Sequence, residues 1–67
     1  MEIKLNNQIK IFPEQCNIQQ LLDIVVPEKQ KGIAIAVNNS VIPKNNWHVQ
    51  LLKQNDEVLI IKATQGG

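Results

Sequence analysis

The first eleven residues constrain the fold most. Met1, Ile3 and Leu5 are interleaved with Glu2 and Lys4, and Ile9 and Ile11 with Gln8 and Lys10. That is the two-residue period of a half-buried strand. Asn6-Asn7 stands between the two runs, and asparagine tolerates the positive φ that a two-residue hairpin turn requires. The opening of the chain is therefore expected to be a β-hairpin whose apolar face needs a cover. The whole chain has 67 residues, and a domain of that size buries only about 60% of the surface its unfolded chain exposes. A deep catalytic cleft has little room. Cys16 and His48 are each the single residue of their kind, so neither a disulfide within the chain nor a Cys/His metal cluster can staple it. A lone thiol suits a reducing compartment.

The cover follows at once. Pro13 stops the second strand. Asn17 is a suitable helix N-cap, with Gln20 three residues later where a capping-box partner belongs. Ile18, Leu21, Leu22 and Val25 then recur at helical spacing, and Pro27 should end the helix at Val26. So short a helix is not stable alone in water and must lie on a sheet, for which the hairpin is the platform. Residues 28–32 read as a polar connection. Ile33-Ala34-Ile35-Ala36-Val37 is a strand with large residues on one face and alanines on the other. Asn38-Asn39 is a second tight turn. Val41-Ile42 is a short strand stopped by Pro43, which suits a sheet edge. Lys44 to Val49 is expected to make one helical turn around Trp47. Asn55-Asp56 is a third turn. Val58-Leu59-Ile60-Ile61 is apolar on both parities, as a central strand should be.

The order β-β-α-β-β-β, with a helical turn before the last strand, is that of an α+β, ubiquitin-like β-grasp domain. Its sheet would be mixed and four- to five-stranded, with one main helix packed on one face. The expected domain covers residues 1–62, and residues 63–67 form a flexible tail.

Seven lysines, spread along the chain, face six acidic residues for a net charge of +1, and arginine is absent. No basic stripe for nucleic acid results, and bidentate guanidinium recognition is excluded. No apolar run approaches the ~20 residues of a membrane helix. Met1-Glu2-Ile3-Lys4 lacks the apolar core of a signal peptide. These features predict a soluble, cytoplasmic domain, or a stromal one if plastid-encoded, that is monomeric when free. Nucleophile–base pairs, phosphate loops and metal-ligand clusters are missing, so an enzyme is the least favoured class.

The tail, Lys62-Ala63-Thr64-Gln65-Gly66-Gly67, has no core-forming residue. At ~7% glycine per position, a terminal Gly-Gly pair arises by chance in roughly 0.5% of chains. One reading is a frayed end without a role. The other is chemical. A terminal carboxylate is ionised at neutral pH and can attack the α-phosphate of ATP to give an acyl adenylate. Glycines at 66 and 67 would let the backbone enter a narrow channel. Ordering the tail costs roughly 1–2 kcal/mol per residue, which contacts elsewhere must offset. If Val58 and Ile60 face the helix, Leu59 and Ile61 face the other side of the sheet and would offer an apolar docking patch beside the tail. The alternative is that they merely cover the sheet.

Ile35-Ala36-Val37-Asn38, Val41-Ile42-Pro43-Lys44 followed by Trp47, Leu52 with Asn55-Asp56-Glu57-Val58 and Ile60, and the final Ala63-Thr64-Gln65-Gly66-Gly67 stand in an order and spacing that resemble the ThiS family, the sulfur carriers of thiamin thiazole biosynthesis. The similarity spans essentially the whole chain. The family often has Gly where Asn39 and Asn55 stand, Arg where Lys44 stands, and a larger aliphatic residue where Thr64 stands. The resemblance implies that a ThiF-type, E1-like adenylating enzyme uses MgATP to activate the carboxylate of Gly67. Sulfur from cysteine, by way of a desulfurase persulfide, would leave a C-terminal thiocarboxylate. A ThiG-type thiazole synthase would take that sulfur into the thiazole ring. Gly66 would give clearance, Thr64 and Gln65 would line the partner's channel, and the chain itself would bind no cofactor or metal. The small subunit of molybdopterin synthase, a ubiquitin-like modifier and a non-catalytic β-grasp interaction module remain alternatives. Cys16 lacks a neighbouring His or Lys to lower its pKa and reads as structural. His48 reads as surface, and Trp47 as packing over the end of the core.

Overall fold

The computed structural model describes residues 1–27 and 32–62. The connection expected at 28–32 therefore lies outside the described residues except for Gly32, and the tail at 63–67 lies wholly outside them. Strands β1 (Glu2–Leu5) and β2 (Gln8–Ile11) form the hairpin. Helix α1 (Ile18–Val25), β3 (Ile33–Val37), β4 (Ser40–Ile42), a 3-10 turn at Lys44–Asn46 and β5 (Glu57–Lys62) follow. The fold is the α+β, ubiquitin-like β-grasp, and the sheet order is β2-β1-β5-β3-β4. All neighbours are antiparallel except β1 and β5, which run parallel. The last strand to form in sequence thus fills the middle of the sheet, and β4 takes an edge.

Local chemistry explains the corners. Asn6, Asn7, Asn38, Asn39 and Asn55 all have positive φ, between 47° and 71°. Asparagine is the residue besides glycine that enters this region at low cost. Asn39 and Asn55, where the resembled family often has glycine, thus serve the same turns. Asp56 secures the last corner: its carboxylate accepts from the Lys53 N–H at 2.8 Å and from Asn38 Nδ2 at 3.0 Å. Asn38 Oδ1 accepts from the Glu57 N–H at 2.9 Å, so the β3–β4 turn and the entry to β5 are tied together.

The helix begins as its sequence predicts. The Gln20 N–H donates to Asn17 Oδ1 at 2.7 Å, and the Asn17 N–H donates to Gln20 Oε1 at 2.9 Å. The remaining free N–H groups of the first turn go to the segment after the 3-10 turn. Ile18 donates to the Gln50 carbonyl at 3.2 Å and Gln19 to the Trp47 carbonyl at 3.1 Å. The donors that a helix start leaves unpaired are satisfied by tertiary contacts. At the other end Val26 is the C-cap, one residue before Pro27.

Ile3, Leu5, Ile18, Leu21, Leu22, Ile35, Val37 and Val58 make the core between helix and sheet, and Phe12, Cys16, Trp47 and Leu52 extend it at one end. Fully burying a residue such as Leu or Ile contributes about 1.5–3 kcal/mol. The Trp47 indole N–H donates to the Ile42 carbonyl at 3.0 Å, so the ring packs inside while its polar atom is paired. The second hairpin strand adds nothing to this core. Leu5 pairs with Gln8 and Ile3 with Lys10, so Ile9 and Ile11 fall on the face away from the helix and are 68% and 74% exposed. The helix is carried by the central strands rather than by the hairpin as a whole. The alanines of β3 also differ from each other: Ala34 is exposed and Ala36 is buried.

Candidate docking face and tail root

The side-chain period of a strand puts alternate residues of β5 on opposite faces. Val58 is buried and Ile60 is partly buried against the core. Leu59 and Ile61 consequently face away from the helix, 40% and 52% exposed. Their cross-strand partners on that face are small: Ala36 stands beside Leu59 and Ala34 beside Ile61. Ala36 also pairs with Val41 on its other side, and Val41 is exposed. Leu59, Ile61 and Val41 therefore rise around a floor of two alanines. The patch occupies the middle and the β4 edge of the sheet. Toward β1, Glu57 stands beside Lys4 and Lys4 beside Ile9, so charged residues separate it from Ile9 and Ile11.

Of the residues singled out in sequence, Leu59 and Ile61 are brought together on this face. Thr64, Gln65, Gly66 and Gly67 lie outside the described residues. Val41 and the two alanines complete the patch and were not singled out. Their signal was the alternation of Ile33 to Val37, combined with a two-residue turn that fixes which residue of the next strand faces which.

β5 ends at Lys62, so the chain passes from this patch directly into the last residues. At the point of departure Asn6 lies alongside. The Ile60 N–H donates to Asn6 Oδ1 at 2.8 Å, and Asn6 Nδ2 reaches the Ile60 carbonyl at 3.4 Å.

The other candidates have structural roles. Cys16 is buried. Its Sγ lies 3.4 Å from the Asn17 carbonyl, and burial pushes its thiol pKa up, with the positive N-terminus opposing weakly. A thiol held protonated is a poor nucleophile. His48 is exposed, and its carbonyl accepts from Asn17 Nδ2 at 3.0 Å. Among the described residues no three His, Cys, Asp or Glu side chains are grouped to hold a metal, and no helix is long and apolar enough to cross a membrane.

Comparison with known proteins adds four findings. The sequence model of the ThiS family matches residues 1–67. A sulfur carrier protein ThiS of Escherichia coli (strain K12) is 25% identical over 67 residues, covering all of both chains. The crystal structure of a thiamine biosynthesis protein (ThiS) from Geobacter metallireducens superposes with a TM-score of 0.87 at 19% identity, covering all of both chains. An NMR solution structure of a thiamine biosynthesis protein from the same organism gives 0.81 at 19% identity, over all of this chain and 88% of the other. At such identity the structural likeness bears on the fold.

Proposed function

This chain belongs to the ThiS family, and from that premise we propose that it is a sulfur carrier of thiamin biosynthesis whose working group is the carboxylate of Gly67. The observation that carries the reading is the continuity of the exposed pair Leu59 and Ile61 with the last five residues of the chain. A body that docks through its central strand would deliver a tail able to reach about 17 Å when extended. That suits a reacting group that must enter another protein's site, and it asks no catalytic residue of the carrier. The end of the chain, Ala63-Thr64-Gln65-Gly66-Gly67, is in keeping with that role. The relative in Escherichia coli, named a sulfur carrier, is matched over its full length.

The chemistry is as follows. An oxygen of the Gly67 carboxylate attacks the α-phosphorus of MgATP in a ThiF-type adenylating enzyme, and pyrophosphate leaves. Sulfur passed on from a cysteine desulfurase as a persulfide then attacks the acyl carbon, and AMP leaves. A thiol reduces the resulting acyl disulfide and frees the thiocarboxylate. A ThiG-type thiazole synthase takes up the sulfur, and the carboxylate is regenerated for another round. Gly66 supplies clearance, and Thr64 and Gln65 line the partner's channel. The carrier is a recycled co-substrate and holds no cofactor; ATP and magnesium belong to the activating partner.

Incubation with the cognate adenylating enzyme, MgATP and a sulfur source is expected to replace one terminal oxygen by sulfur, read as a shift in intact mass. An unchanged mass overturns the proposal. Isopeptide conjugates on other proteins, or delivery of sulfur to a pterin precursor instead of the thiazole, would redirect it to a modifier or to the molybdopterin route.

A further inference from the structure

The strand that leads to the tail is held on one side by a side chain. β1 accompanies β5 only as far as Leu5 beside Val58, because the chain turns away at Asn6, whose φ is 47°. β5 continues to Lys62. The backbone of Glu57 points toward β3, since the Asn38 N–H donates to its carbonyl at 2.8 Å. By strand alternation the backbone groups of Val58 and Ile60 point the other way, toward β1, which ends beside Val58 and leaves Ile60 without a strand partner on that side. Asn6 fills that gap. Its own N–H donates to the Val58 carbonyl at 3.0 Å. Its side-chain oxygen then accepts from the Ile60 N–H, and its side-chain nitrogen faces the Ile60 carbonyl. The amide thus offers Ile60 the acceptor and donor that one more residue of a paired strand would offer. Beyond Ile60 no strand flanks this side among the described residues. The turn itself does not need these bonds: Asn7, with φ 69°, serves the same hairpin, and glycine would satisfy φ at either position.

We propose that Asn6 is a positioning residue for the tail, a side-chain clamp that closes the last rung on the β1 side of β5, while β3 holds the other side as far as Lys62 beside Ile33, and that the two together set the place from which residues 63–67 depart. The role rests on the reading of Gly67 as the reacting end. A root ordered in advance leaves fewer residues to be ordered on docking. Loss of the clamp should therefore weaken productive binding and leave the chemistry at the carboxylate unchanged.

The test compares the parent chain with Asn6→Gly, which keeps the turn and removes the amide, and Asn6→Asp, which keeps the acceptor for the Ile60 N–H. In the free protein, amide exchange of Ile60 should accelerate about tenfold or more in Asn6→Gly, while the remote Leu52 amide, bonded to the Cys16 carbonyl, keeps its rate. In adenylation assays the KM for the carrier should rise about fivefold in Asn6→Gly with kcat unchanged, and Asn6→Asp should recover much of both effects. Unchanged exchange at Ile60 would show that the clamp does not exist. Faster exchange with unaltered KM would reduce Asn6 to a structural role and overturn the proposal. Failure of the parent chain to be adenylated would instead sink the sulfur-carrier reading, and the positioning role with it, before any variant is compared.

Discussion

Trp47 and Cys16 show how single buried groups are handled. The Trp47 N–H is spent on the Ile42 carbonyl, which ties the 3-10 turn to the edge strand. Trp47→Phe keeps an aromatic ring but removes that hydrogen bond, and it is expected to cost about 0.5–1.5 kcal/mol in urea unfolding, with the m-value unchanged. Cys16 is shielded, and burial raises its thiol pKa. The native state then holds its proton at pH values where the unfolded chain, with a thiol pKa near ~8.5, has lost it. Above that pH the unfolded state binds fewer protons, so stability falls as pH rises. The contribution is fully present below the unfolded thiol pKa and is lost on moving above it. Denaturation midpoints should drop on the alkaline side in the parent chain, and less so in Cys16→Ala. Alkylation of native Cys16 should be slow and should accelerate with denaturant. Rapid alkylation under native conditions would contradict the buried, structural placement of this thiol.

Helix and turns were legible because their signals are local. Asn17 and Gln20 predicted a capping box, and both of its hydrogen bonds are formed. Asn17 has a second task that no local pattern announced, the bond from Nδ2 to the His48 carbonyl. Asn17→Ala removes both and should cost about 1–2 kcal/mol, at the upper end for a cap. A midpoint shift of only a few tenths of a kcal/mol would show that the bond to His48 contributes nothing. The turn asparagines allow a sharper comparison. Asn39→Gly should be nearly neutral, whereas Asn39→Val forces a branched residue into the left-handed region and should cost about 1–2 kcal/mol. The hairpin was recognised from the alternation of its two strands, but Ile9 and Ile11 point away from the helix. Carrying the register across the two-residue turn, Leu5 beside Gln8, would have revealed this from sequence alone.

For the molecule as a whole, the consequence is a sheet with two apolar faces and, among the described residues, a single α-helix to cover them. The covered face is the core. The uncovered face places Leu59 and Ile61 on the central strand, beside the start of the tail. Ile61→Asp, at a half-exposed position, should leave the melting temperature nearly unchanged. It should raise the KM for the carrier in thiocarboxylation about tenfold, as expected of a residue near the centre of a docking patch. A variant as active as the parent would remove this face from the mechanism. Shortening the chain by Gly67 is expected to abolish sulfur transfer with no change in unfolding, because the described core reaches no further along the chain than Val58 and the partly buried Ile60. Retained transfer would refute the assignment of Gly67.

From the sequence alone came the elements: periods of two and of nearly four, a cap, turn asparagines, prolines that stop strands and helix, and the four segments, terminal glycines included, whose order and spacing pointed to a family. These are properties of neighbouring residues and survive in any window of the chain. The tertiary structure alone decided which distant segments meet. It set the last strand parallel to the first, and it closed the helix start with carbonyls of Trp47 and Gln50. It also laid Asn6 against Ile60, 54 residues away. Such contacts form only when chain closure brings together backbone groups that must otherwise stay unpaired, and periodicity records which side of a strand is apolar but not which strand will lie beside it.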